Sequence, residues 1–328
     1  MGPVTVAERA PVPNGAIPTR RVRSRRRGPD FWHRLWANRL AYAFLAVPVI
    51  GFFVFVAYPT VFALYSSFWK FNNFTFVALP TPFDNYTRAL SDRMIQRAFL
   101  NVFELFAISF VGGQTLALLV AVLLHHMKHL VGFYRALYYL PMVTSVVIVG
   151  ALFKFLLRND PGGPVNLILN KLFGMAPVRW LNEEALMIPS VALVTIWASV
   201  GGGIIIWTAG LKGIPRELYE AATIDGANRW RQFWGVTLPM LKPIVMYQAV
   251  LGFIGGMKAF GLNYTMIVRG QEGVPPAAGM TPVYAIWHYG FRRFQMGYAS
   301  AVAFILSLVI LAISILQLRF FGDPDLYD

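Results

Sequence analysis

The chain of 328 residues has no cysteine. Disulfides, thiolate metal sites and cysteine nucleophiles are therefore excluded. Charge is scarce: 13% of residues are charged, against about 25% in soluble domains. Acidic residues are scarcest, 15 Asp and Glu against 29 Lys and Arg, for a formal charge of +14. No Walker A pattern occurs, so ATP binding by that route is excluded. No internal repeat is visible, which argues against a solenoid. What is abundant is apolar: 57% of residues are hydrophobic and the mean hydropathy is +0.54. One soluble core cannot absorb that excess, and disorder requires the opposite composition. The composition indicates an all-α polytopic membrane protein, and it assigns the basic excess to loops facing the cytoplasm rather than to nucleic acid.

A bilayer core takes about 20 apolar residues per helix. Six transmembrane helices follow, at about 40–64, 98–124, 136–157, 186–211, 243–268 and 296–318. Three of them carry charge: Glu104 in the second, Lys154 near the outer end of the third, and Lys258 in the fifth. Glycines at 201–203 and at 252, 255, 256 and 261 weaken the fourth and fifth segments as helices. Six spans put both termini on one side. With the termini inside, the cytoplasmic segments hold 17 Lys and Arg and the external loops 10, which satisfies the positive-inside rule. Residues 1–39 read as a basic cytoplasmic tail, disordered over 1–30, with a short interfacial helix at Phe31–Trp36; 322–328 form a second cytoplasmic tail. Ser24–Arg27 is a basic flank, not an export signal, because the apolar run behind it is too long. His125, His126 and His129 read as a polar helix end; no metal site is expected.

The 31-residue insert 212–242 is too polar to span and too patterned to be a linker. Pro215 suits a helix start, and Glu217 and Glu220 favour its N-terminal dipole. Leu218, Ala221 and Ala222 give a small apolar face, and Asp225-Gly226 turns the chain. A second helix is expected over 227–235, carrying Trp230, Phe233 and Trp234, and ended by Leu238-Pro239 and Lys242-Pro243. Helix–Gly–helix at a membrane surface suits either a docking knob for a cytoplasmic partner or an interfacial hairpin.

Glu220-Ala221-Ala222, three residues, Gly226, nine residues, then Val236-Thr237-Leu238-Pro239 resembles the EAA signature of binding-protein-dependent ABC importer permeases, departing only by Val236 for Ile. Asn101, Arg135 with Pro141, Gly163-Pro164-Val165-Asn166 and Gly297-Tyr298-Ala299-Ser300-Ala301 also match patterns of that family. The resemblance covers roughly 40–321 and is closest to carbohydrate-uptake permeases. Many relatives carry a TGGGP run after the fifth span, where this chain has Val268–Pro275.

The resemblance implies a non-enzymatic permease subunit in a bacterial or archaeal inner membrane. A second, homologous permease would pair with it. Two ATPase subunits would bind the ATP and Mg, so this chain holds no cofactor. An extracytoplasmic binding protein would deliver solute. The insert would be the coupling helix seated on the ATPase, through Glu220, Ala221, Ala222, Asp225, Gly226, Leu238 and Pro239. The fifth helix would line the translocation path, where Phe260, Asn263 and Tyr264 suit sugar rings and hydroxyls. Lys258 would favour an acidic sugar, pair with Glu104 or a partner's carboxylate, or snorkel; Lys154 is expected to snorkel. The same family importing a phosphate ester or peptide is the alternative. An ATP-independent channel or secondary transporter, or a membrane enzyme, finds thin support in three intramembrane charges.

Overall fold

The computed structural model describes residues 39–71, 78–127, 129–267 and 276–321. The tails 1–38 and 322–328 and the segment 268–275 lie outside the described residues, and with them the expectations placed there.

Four helices are long and apolar enough to cross a membrane: α1 (Arg39–Ser67), α3 (Arg93–His126), α7 (Glu184–Gly213) and α13 (Met296–Phe321). Two bent pairs raise that number to as many as six, where each pair counts as one span. The first is α4 (Val131–Val143) with α5 (Val146–Leu156), the second α9 (Arg229–Met240) with α10 (Lys242–Met257). Between these lie α2 (Asp84–Ser91), α6 (Pro164–Phe173), α8 (Arg216–Ile224), α11 (Gly261–Ile267) and α12 (Pro282–Trp287). The chain divides into Met1–Pro59 and Thr60–Asp328 as two compact units. The packing below is that of the second.

Between lipid-embedded helices, close packing and buried hydrogen bonds take over from the hydrophobic effect, and small residues allow backbones to approach. The α3–α7 pair is built this way. A Cβ on Gly203 would meet the Ala117 methyl, and one on Gly201 would strike the Tyr138 carbonyl of α4. The glycine run expected to weaken the fourth span therefore lies in one unbroken helix, its lost propensity offset by contacts that need the missing side chains. Around it pack Ala121, Leu124, Ile204, Trp207 and Leu211, with the Trp207 indole donating to Gln114 Oε1 at 3.0 Å.

Two predicted spans are not straight. The third, expected as one helix over 136–157, bends by 95° between α4 and α5. Pro141 has no N–H to give the preceding turn, and Thr144 returns its hydroxyl to Leu140 O at 2.9 Å, competing with the backbone. The fifth, expected over 243–268, stops at Met257 and restarts at Gly261. Gly255 and Gly256 precede the stop, and the amides of Lys258 and Ala259 bond back to their carbonyls at 3.1 and 3.0 Å.

The helical fold carries a short antiparallel strand pair: β1 (Trp69–Phe71) and β2 (Ala78–Pro80), in register Trp69↔Pro80 and Phe71↔Ala78. Trp and Phe suit a pleated surface. The pair is tied down by Asn85, which donates to Ser67 O at 2.8 Å and Trp69 O at 3.1 Å. Gly297 lets the Trp69 carbonyl sit against the start of α13.

Candidate functional site

The insert is a helical hairpin. α8 ends at Ile224 with Asp225 as its cap. Gly226 has φ +77°, its amide bonds to Thr223 O at 3.0 Å, and the Ala227 amide reaches Ala222 O at 2.9 Å. This is the Schellman closure, in which the left-handed residue is normally glycine. Asn228 then caps α9 by accepting from the Arg231 amide at 2.9 Å. α9 runs past Leu238-Pro239, expected to end it, as far as Met240. A π-turn at Phe233–Thr237 loosens the ladder just before the proline that cannot donate.

Three contacts hold the hairpin closed. The hydroxyls of Tyr219 and Thr237 share a hydrogen bond of 2.9 Å, and Gln232 Nε2 donates to Thr223 Oγ1 at 2.9 Å. Tyr219 and Val236 pack on the cluster of Leu211, Ile214 and Leu241. Of the coupling residues named from sequence, Glu220, Ala221, Asp225, Gly226 and Pro239 are exposed, while Ala222 and Leu238 are half-buried. Ile224, not singled out, is 87% exposed at the tip. Its signal was an apolar residue directly before the Asp-Gly turn.

The break in the fifth span gathers the translocation candidates unevenly. Lys258 is exposed at the end of α10 rather than inside a helix. Glu104 is exposed on α3, and no ion pair joins the two. Phe260 and Tyr264 are half-buried and cluster with Tyr284 and Trp287 of α12, at centroid distances of 5.4 to 6.2 Å about Phe260. Tyr284 and Trp287 escaped the sequence reading because they lie in a segment taken as external loop; Pro282 was the available helix-start signal. The buried Asn263 Nδ2 and Tyr284 hydroxyl have no hydrogen-bond partner among the described residues. Burial pushes the Tyr284 hydroxyl up to about 12. Asn101, buried on α3, donates to Ala277 O at 2.7 Å and Met280 O at 2.9 Å, and so fixes the approach to α12.

The segment after α5 is organised by Asn166. Its amide donates to Arg158 O at 2.9 Å, Asp160 O at 3.3 Å and Val178 O at 3.0 Å. Its carbonyl accepts from the Val178 amide at 3.1 Å and the Trp180 indole at 3.0 Å. Beside it is a polar cavity of about 620 Å³ lined by Lys154, Arg158, Asp160, Arg179, Asn182 and Met266. The Arg158 guanidinium, 2.8 Å from Asp160, holds that carboxyl below its usual range. At the α4–α5 bend a cavity of about 680 Å³ is apolar, lined by Leu137, Pro141, Ile148, Ile196 and Trp197 among others.

Before α13, Asp92 caps α3 and accepts from the hydroxyls of Tyr298 at 2.9 Å and Tyr289 at 3.2 Å. His288 is buried and accepts from Arg293 Nε at 3.5 Å. Burial, then the charges of Arg293 and Arg292, push its imidazole below the usual value.

Bent spans around a polar break, with a closed helical hairpin hung between α7 and α10, define a polytopic transport permease. Residues 113–321 match the family described as "Binding-protein-dependent transport system inner membrane component". The chain belongs to that family. It is 32% identical to the arabinooligosaccharides transport system permease protein AraP of Bacillus subtilis (strain 168), over 89% of this chain and 92% of that one. It is 31% identical to the diacetylchitobiose uptake system permease protein NgcF of Streptomyces coelicolor, over 92% and 89%. Its fold is shared with a bacterial ABC transporter involved in the import of the acidic polysaccharide alginate, at TM-score 0.77 and 22% identity, over 89% of this chain and 98% of that one.

Proposed function

We propose that this chain is one of two permease subunits of an ATP-driven importer of sugars or oligosaccharides. The observation that carries the reading is the closed hairpin 216–240, with its left-handed Gly226 and exposed Glu220, Ala221 and Ile224. A tip pinned to the core at Tyr219 and Val236 suits transmission of force to α7 and α10. Two separate ATPase subunits would carry ATP and Mg and clasp the hairpin of each permease. Their closure would drive the spans from inward-open to outward-open, one population shift serving both binding and transport. An extracytoplasmic binding protein would deliver solute; a solved structure of an alginate transporter that shares this fold includes an alginate pentasaccharide-bound periplasmic protein. The hairpin and both termini would face the cytoplasm, in keeping with the excess of basic residues on that side.

For the solute, relatives named for arabinooligosaccharides and diacetylchitobiose support a carbohydrate. The four-ring cluster at the break in the fifth span supports it chemically, because aromatic faces suit sugar rings. Lys258, exposed beside that break, would favour a sugar carrying a carboxylate. The test is reconstitution of the complete importer in proteoliposomes with its binding protein. ATP-dependent uptake of a neutral or uronic oligosaccharide is the expected result. ATP-independent flux would support a channel, and uptake of peptides or phosphate esters alone would remove the sugar assignment.

A further inference from the structure

The coupling reading leaves one face of the hairpin unused. On α9, Trp230, Phe233 and Trp234 pack ring on ring, with centroids 5.5 to 6.3 Å apart. Trp230 is 69% exposed and Trp234 52%. The other side of the same helix is committed: Gln232 bonds to Thr223 and Ala227, Thr237 to Tyr219, and Val236 packs on the core. α9 is therefore two-sided, one side pinned to α8 and the core, the other presenting two indoles. Exposed Arg229 and Arg231 bracket Trp230, and exposed Lys242 opens α10.

Position selects the occupant. α9 and α10 meet at a bend of 59°. Trp234 precedes Lys242 by eight residues, about 12 Å of helix at about 1.5 Å per residue. With α10 along the bilayer normal, that bend leaves Trp234 about 6 Å and Trp230 about 9 Å from the start of α10. A headgroup layer is about 5–8 Å thick on each side, so Trp234 falls within it and Trp230 at its outer, phosphate edge. Indoles with flanking arginines are the side chains that favour this layer, the ring among glycerol and carbonyl groups and the cation at phosphate.

We propose that the Trp230–Phe233–Trp234 face of α9 is seated in the lipid headgroups of the cytoplasmic leaflet, with Arg229 and Arg231 on anionic phosphates. Anchored there, α9, bonded to α8, holds the hairpin at a fixed depth. This rests on the reading of the hairpin as cytoplasmic. The competing occupant of the indole face is the ATPase surface.

The absence of cysteine makes the test direct. Trp230→Cys, Trp234→Cys and, at the tip, Ile224→Cys each place one nitroxide on this chain. The complete importer, with partner subunits free of cysteine, is placed in nanodiscs of phosphatidylethanolamine and phosphatidylglycerol. Collision rates with oxygen and with a water-soluble nickel chelate are measured before and after the ATPase is stripped. At 230 and 234, the ratio of oxygen to chelate collisions should exceed that at 224 after stripping, as headgroup depth requires, and stay unchanged on stripping. At 224, chelate access should rise several-fold on stripping. A ratio at 230 and 234 equal to that of the aqueous tip at 224, or chelate access rising at 230 and 234 once the ATPase is removed, overturns the proposal. No change at 224 instead removes the coupling reading and leaves the lipid contact standing. Should a cysteine variant fail to assemble, the Trp230→Phe/Trp234→Phe variant keeps the ring character. It should lose part of the quenching that brominated lipid exerts on the nine tryptophans, and undiminished quenching overturns the proposal.

Discussion

Gly226 is the position where a small change separates folding from coupling. Its φ of +77° is a conformation that costs an ordinary L-residue about 1–2 kcal/mol, and Asn or Asp less. Space is not the constraint: a Cβ there would meet no heavy atom within 4 Å. The penalty is thus wholly conformational, and about 1 kcal/mol changes a population roughly fivefold. Gly226→Ala should insert and assemble normally but lower the ratio of closed to open hairpin severalfold, and reduce uptake. Gly226→Asn should stay nearer to wild type. Gly226→Asp has the same backbone tolerance as Asn but adds an anion beside Asp225 and Glu220 on the exposed tip. It should abolish uptake in proteoliposomes while the ATPase subunits keep hydrolysing ATP. Each variant is compared by membrane yield, ATPase rate and solute uptake. Normal uptake by Gly226→Asp would refute the assignment of this turn to coupling, and failure of that variant to insert would refute the claim that the site is unconstrained sterically.

Four further outcomes follow from the same contacts. Asn166→Ala strands the Val178 amide, the Trp180 indole and three carbonyls, and at about 1 kcal/mol for each net bond should cost roughly 3–5 kcal/mol; thermal unfolding of the purified importer checks this. Gly201→Ala forces a methyl against the Tyr138 carbonyl and should destabilise by about 1–3 kcal/mol, whereas Gly255→Ala, with nothing within 4 Å, should be neutral or slightly stabilising in the same unfolding assay. Lys258→Gln should weaken uptake of uronic oligosaccharides and spare neutral ones; an unchanged profile removes Lys258 from solute selection. His288, depressed by burial and by Arg293 and Arg292, binds its proton less readily folded than unfolded. Its contribution is complete above the unfolded value of about 6.5 and is lost as pH falls below it. Acid destabilisation measured by unfolding from pH 7 to 5 should shrink in His288→Gln.

Much of this protein is decided by one-dimensional quantities. Hydropathy over about 20 residues fixes which segments enter the bilayer, since hydrocarbon admits only backbones that satisfy themselves. The spacing from Glu220 through Gly226 to Pro239 marks the hairpin because a Schellman closure needs its glycine at one place in a short helix. Tertiary structure decided the rest. The glycines at 201–203 weaken a helix in isolation, but α4 lies so close to α7 that a side chain at 201 would strike the Tyr138 carbonyl. Asn101 and Asn166 are ordinary polar residues until the chain returns carbonyls from Ala277, Met280 and Val178 to their amides. Lys258 is embedded if the fifth span is continuous and exposed once it breaks at 258–260, and the break rests on carbonyls at 255 and 256 being taken by the next turn. Tyr284 and Trp287 join Phe260 and Tyr264 only because α12 folds back onto that break. Local composition selects solvent and secondary structure; which side chains meet depends on contacts between residues far apart in the chain.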